Sequence, residues 1–146
     1  MKIIYFCMLM LFSVNGISPA FGEIYWSKLD VMEKTLCKGL MKEGGYNKVD
    51  LCINLMLSDS TEKLEKRNKE IKEDLSKLNS FENFEDLAKF LKKDQAAWKN
   101  YASLRCSYKQ LVFIKDSPIY FSSNRLCHAV ENYRRIESLD GELNIP

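Results

Sequence analysis

Apolar residues recur at intervals of three or four along almost the whole chain after residue 23, and this spacing constrains the fold more than any other feature. Tyr25, Leu29, Met32, Leu36 and Leu40 share one face of a helix predicted over 24–42, with Gly44 and Gly45 able to take the positive φ that ends it. A second helix is expected from about Val49 to Leu78, its stripe running through Cys52, Met56, Leu64, Ile71 and Leu75. A kink or restart is expected in it at the cap-forming run 58–61. A third is predicted over 84–112 with Asn83 as its cap. Its two adjacent stripes (Leu87, Leu91, Trp98, Ala102; and Phe90, Ala97, Tyr101, Leu104, Tyr108, Leu111) would make it the most buried helix. "FIKDSPIYFSSN" reads as a loop, because Ser117–Pro118 disfavours helix and Ser122 or Ser123 can cap a last helix over 123–139. With only six glycines and three prolines, and no alternating strand pattern, the expected fold is all-α: about four helices in a compact antiparallel bundle.

The first residues, "MKIIYFCMLMLFSVNGISPAFG", stand apart from this periodicity. Lys2 supplies a basic start, and Ile3 to Val14 form an apolar run too short for a bilayer core of ~30 Å. Ala20 and Gly22 fit the −3 and −1 positions of a signal-peptidase site. The segment 1–22 therefore reads as a secretory signal peptide, with cleavage after Ala20 as the second choice. Cys7 has no small residue beside it, which argues against a lipid anchor. The expectation is a single exported domain, 23–146, in the periplasm or secreted.

Four cysteines then remain, Cys37, Cys52, Cys106 and Cys127, and an even set in an exported chain reads as two disulfides. Three pairings are possible and the sequence does not choose between them; the sequence-local one, Cys37–Cys52 with Cys106–Cys127, is the expectation. Structural zinc sites bring ligands in close pairs. Here the cysteines are far apart and the one histidine, His128, adjoins Cys127, so no metal is expected.

Loss of Lys2 leaves 21 basic against 20 acidic residues, which gives no electrostatic reason to expect nucleic acid or an anionic membrane as partner. The charge run 62–77, with Glu62–Lys66, Glu65–Lys69 and Glu73–Lys77 at i,i+4, reads as a solvated helix face. There is no Gly-rich phosphate loop, no H-E-x-x-H and no C-x-x-C. Any Ser–His or Cys–His mechanism would have to use His128. Neither an enzyme nor a cofactor is expected. In "QAAWKNYASLRC", Gln95, Trp98, Tyr101 and Cys106 could form a surface groove with aromatic anchors. Their core-like spacing favours a buried helix instead, with the aromatics turned inward and Gln95 satisfying a buried backbone group.

The offsets of Leu91, Gln95, Trp98, Tyr101 and Cys106, followed by Cys127, Arg135 and Leu139, resemble the lysozyme inhibitor LprI-like family of small exported bacterial proteins. Cys37, Cys52, Asp59 and Leu64 resemble its earlier cysteine pair. The resemblance spans roughly residues 35–140. Ala102 and Ser103 stand where the family often has Arg-Asp, and Asn68 where it commonly has Tyr. The resemblance implies a helical, disulfide-bonded envelope protein whose motif residues are scaffold, and its named member is linked to inhibition of lysozyme. On that reading a loop would block a muramidase cleft, which holds two carboxylates. The candidates are Lys42, Tyr46 and Lys48 in one loop, and Lys115, Ser117, Tyr120 and Ser122 in another. The rival expectations are a helical carrier of a small apolar ligand, with Trp98, Tyr101 and Tyr108 lining a cavity, and an envelope interaction protein without lysozyme activity.

Overall fold

The computed structural model describes residues 20–40, 44–78, 80 and 82–142, and within them the chain is all-α. The helices are α1 (Ala20–Glu33), α2 (Tyr46–Lys77), α3 (Phe84–Gln110) and α4 (Pro118–Glu142). The signal-peptide segment lies outside the described residues as far as residue 19. Among the described residues no helix is long and apolar enough to cross a membrane.

Local chemistry explains where the helices differ from the sequence expectation. α1 stops at Glu33, well before the glycine pair. The Thr35 hydroxyl donates to the Val31 carbonyl at 3.3 Å, and the Cys37 amide reaches back to the Met32 carbonyl at 2.8 Å. The turns that follow include Gly39 at φ 87°, a left-handed geometry suited to glycine, and they carry Cys37 to Cys52. Gly44 and Gly45 open α2, with Gly45 as its N-cap at φ 90°. Nor do residues 58–61 interrupt α2. The Ser60 and Thr61 hydroxyls both donate to the Leu57 carbonyl, at 3.1 and 2.7 Å, so they bond within the helix and do not cap a new one. α4 begins five residues earlier than 123 because Pro118 occupies its first position, where a fixed φ and a missing N–H cost nothing. Ser117 is its cap, its Oγ accepting the Tyr120 amide at 3.3 Å.

Two disulfides staple the bundle, Cys37–Cys52 and Cys106–Cys127, with Cα–Cα distances of 5.4 and 5.5 Å. They bear out the sequence-local pairing. All four cysteines belong to one core cluster with Leu29, Ile53, Met56, Leu126, Val130 and Tyr133. A second cluster, Leu64, Ile71, Leu75 and Leu139, fills the other end, with Phe84, Leu91 and Trp98 packed against it.

Successive helices run antiparallel, yet the most extensive interface joins α2 and α4, which run parallel. Hydrogen bonds between them keep an offset of 71 to 77 residues from Tyr46–Ser122 through Met56–Tyr133 to Arg67–Leu139. α3 packs on α4 as well, but α2 and α3 barely touch each other. Consequently α4, and not α3, holds the largest set of buried residues. On α3 only Ala102 and Cys106 are buried. Leu91, Trp98 and Ala102 face the interior. The second stripe faces outward, with Phe90, Tyr101, Leu104, Tyr108 and Leu111 all exposed. Tyr101, expected inside, is 50% exposed.

This division predicts unequal costs of truncation. Met56→Ala, at a fully buried site, should lower stability by about 2–5 kcal/mol. Leu104→Ala on the outer face should change it by no more than about 0.5 kcal/mol. Urea unfolding of the oxidised chain measures both, and equal losses would contradict an uncovered α3 face.

Candidate functional site

The two loops singled out in the sequence converge at one end of the bundle. Tyr46, at the start of α2, hydrogen-bonds through its hydroxyl to Ser122 in α4. Ser122 in turn donates to the Asp50 carboxylate, which also accepts the Arg125 guanidinium. Burial alone would raise the Asp50 carboxyl. The Ser122 and Arg125 hydrogen bonds and the Arg125 charge outweigh it, so its pKa lies below the usual carboxylate value. Tyr46 and Ser122 are therefore occupied in joining α2 to α4. Ser117 is likewise committed, donating to the Ile114 carbonyl at 2.6 Å while it caps α4. Tyr120 and Lys48 are partly buried, and Lys42 lies outside the described residues.

Among the described loop residues, Lys115 stands exposed at the surface. It occupies the turn between α3 and α4, beside Asp116, whose φ of 61° is a left-handed value that Asp tolerates. Its neighbours Val112 and Ile114 are 79% and 83% exposed. The turn continues the outward stripe of α3 through Tyr108 and Leu111, so an apolar strip runs along the helix and ends in a tip where Lys115 and Asp116 adjoin exposed apolar residues. The sequence reading placed Leu111 and Val112 inside α3 and missed their exposure, because helical periodicity marks a stripe but not whether a neighbour covers it.

Of the residues on which the sequence resemblance rests, Trp98, Cys106, Cys127 and Arg135 meet between α3 and α4, whereas Tyr101 faces outward. The Arg135 guanidinium is buried 5.9 Å from the centre of the Trp98 ring and pairs with Asp94. Leu139 is fully buried, with Leu91 packed at its cluster. Gln95 does not satisfy a backbone group: both polar atoms of its carboxamide are shielded from solvent and have no hydrogen-bond partner among the described residues. Trp98, Tyr101 and Tyr108 do not line the groove that opens nearby between α2 and α3.

Chemistry that the sequence left invisible lies further along the α3–α4 interface. Glu131 is 4% exposed and accepts Arg105 at 2.9 Å and Arg134 at 2.8 Å. Lys109 lies beside these groups. Burial, and then repulsion by Arg105 and Arg134 against the attraction of Glu131, draws its pKa down to about 8. His128 is also lowered, by burial, against the pull of Glu131. Its neighbour Cys127 is bonded to Cys106, so it offers no thiolate. Among the described residues no group of three or more His, Cys, Asp or Glu could hold a metal ion. No family model, characterised protein or solved structure matches the chain in comparison.

Lys109 makes stability depend on pH in a definite direction. Unfolded, this lysine stays protonated up to about pH 10.4; folded, it releases its proton near pH 8. Between these values the unfolded chain binds more protons, so stability rises with pH from about 8 towards 10. Above about pH 10 Tyr133 opposes the trend, because burial and its bond to Asp59 hold its hydroxyl protonated in the fold. Thermal melts should show Tm climbing between pH 7.5 and 9.5. In Lys109→Met, Tm should be higher at pH 7 and the climb should flatten; a climb of equal size in the variant would count against this assignment.

Proposed function

We propose that the chain is an exported, disulfide-bonded binding protein, similar to lysozyme inhibitors, that acts by steric block of a muramidase cleft. The observation that carries this reading is the turn at 111–116, where Lys115 follows two apolar residues, Val112 and Ile114, that stand uncovered among the described residues. Contiguous exposed apolar surface of this kind marks sites of protein contact. A cation at its tip is complementary to a cleft that holds two carboxylates. Val112 and Ile114 would exclude water around it, and the strip along α3 (Tyr101, Leu104, Tyr108) would extend the contact beyond the cleft. The two disulfides are consistent with an oxidising compartment outside the cytosol. The resemblance in the third and last helices adds the lysozyme class to the list of partners worth testing.

On this reading the oxidised chain slows cell-wall lysis by at least one lysozyme of a panel and forms a complex with it by calorimetry. Ile114→Asp combined with Lys115→Glu should weaken that complex at least ~10-fold, a loss of about 1.4 kcal/mol, without changing the melting temperature. Absence of both inhibition and complex across the panel would sink the proposal.

A further inference from the structure

Because α2 and α3 are each held to α4 and barely to one another, a groove of about 650 Å³ opens between them. This is within the ~300–1,000 Å³ of ordinary ligand sites. Its two ends differ in chemistry. Near the connection between α2 and α3 it is walled by Leu75, Phe84, Ala88 and Leu91. Directly after Leu91 on α3 the lining becomes Lys92, Gln95 and Lys99, and α2 adds Lys72. Every charged residue that lines the groove is a lysine, in a chain with 22 basic and 20 acidic residues. Lys72, Lys92 and Lys99 form no ion pair among the described residues, whereas Lys63, Lys66, Lys69 and Lys77 of α2 all do.

Gln95 supplies the second observation. Its carboxamide sits on α3 between Lys92 and Lys99, with donor and acceptor both buried and unsatisfied. Leaving such a group without a partner costs about 1–3 kcal/mol. A ligand whose polar head brings an acceptor to this level, while its tail lies along Phe84 and Leu91, would satisfy the amide donor and recover part of that cost. We propose that the groove binds a free long-chain fatty acid, its carboxylate accepting from the Gln95 amide within the field of Lys72, Lys92 and Lys99. The site is distinct from the 111–116 turn, so the two proposals stand or fall separately. A peptide strand fits less well, since two helices offer no free backbone edge to pair with it.

The test is calorimetric titration of the oxidised chain with dodecanoate below its micellar concentration, with dodecanol as the uncharged comparison. The expected result is saturable one-to-one binding of dodecanoate, at least ~10-fold tighter than dodecanol. Lys92→Gln with Lys99→Gln, both at exposed positions, should remove that preference while dodecanol binding and the circular dichroism spectrum stay unchanged. Ala88→Trp should block the apolar end and weaken both ligands. Equal affinity for dodecanol, loss of binding in neither variant, or binding only to phosphatidylglycerol vesicles or to an acidic helical peptide would each overturn the proposal.

Discussion

The structure depends on α4 being held from two sides at once. Along α2 it is held by apolar packing and by side-chain hydrogen bonds at a nearly constant offset: Ser122 to Asp50, Asn132 to Ser60 and Tyr133 to Asp59. Along α3 it is held by a disulfide, by Arg105 at Glu131 and by Arg135 at Asp94. Buried polar groups specify arrangement more than they stabilise it, because their desolvation offsets much of what they gain. Here they fix register. Shifting α4 by one turn against α2 would part Asp50 from Ser122 and Arg125 and Asp59 from Tyr133, and against α3 it would part Glu131 from Arg105. Apolar packing alone would tolerate such slips more easily, since Leu, Ile and Val exchange places at modest cost.

That division explains what the sequence could and could not show. Helix number, the even cysteine set and the apolar stripes were legible because each follows from local spacing or composition. The start of α4 was not, because Ser117–Pro118 is both a helix breaker when inside a helix and a good beginning when at its first position. Only the Ser117 cap and the bond from Ser122 to Asp50 decide which applies. The exposure of Tyr101, Leu104 and Tyr108 was illegible for another reason. A broad apolar face on α3 reads as burial on two sides, and the parallel packing of α2 on α4 leaves α3 with one. Charged residues were the least readable. Arg105 and Glu131 look like any other surface charges until the fold removes them from water, and the i,i+4 pairs expected at Glu62–Lys66 and Glu65–Lys69 give way to Lys66–Glu70 and Lys69–Glu73.

The same packing has an unequal consequence at the two ends of the bundle. Both disulfides lie in the first core cluster, where the chain is constrained by covalent bonds and by the Tyr46–Ser122–Asp50 network. The second cluster is held by Leu64, Ile71, Leu75 and Leu139 without a covalent staple. Cross-links act chiefly by restricting the unfolded chain, so the stapled end can carry an exposed apolar turn at 111–116 without help from that surface. A protein stabilised in this way need not bury every large apolar side chain to remain folded. Its outer stripe is thereby free to serve contact.

At the other end, the gap between α2 and α3 follows from connectivity. α2 ends at Lys77 and α3 begins at Phe84, and each packs on α4 far more than on the other. The groove left between them is lined by both apolar and polar side chains, from Phe84 and Leu75 to Gln95 and the three lysines. Closing the gap by packing alone would call for larger apolar residues at positions 92, 96 and 99, where the chain has Lys, Ala and Lys. An alanine at the wall and unpaired cations at the rim keep the space open, and the unsatisfied Gln95 gives it a polar point of contact. Together these features favour a groove that is occupied in use over a defect in the core.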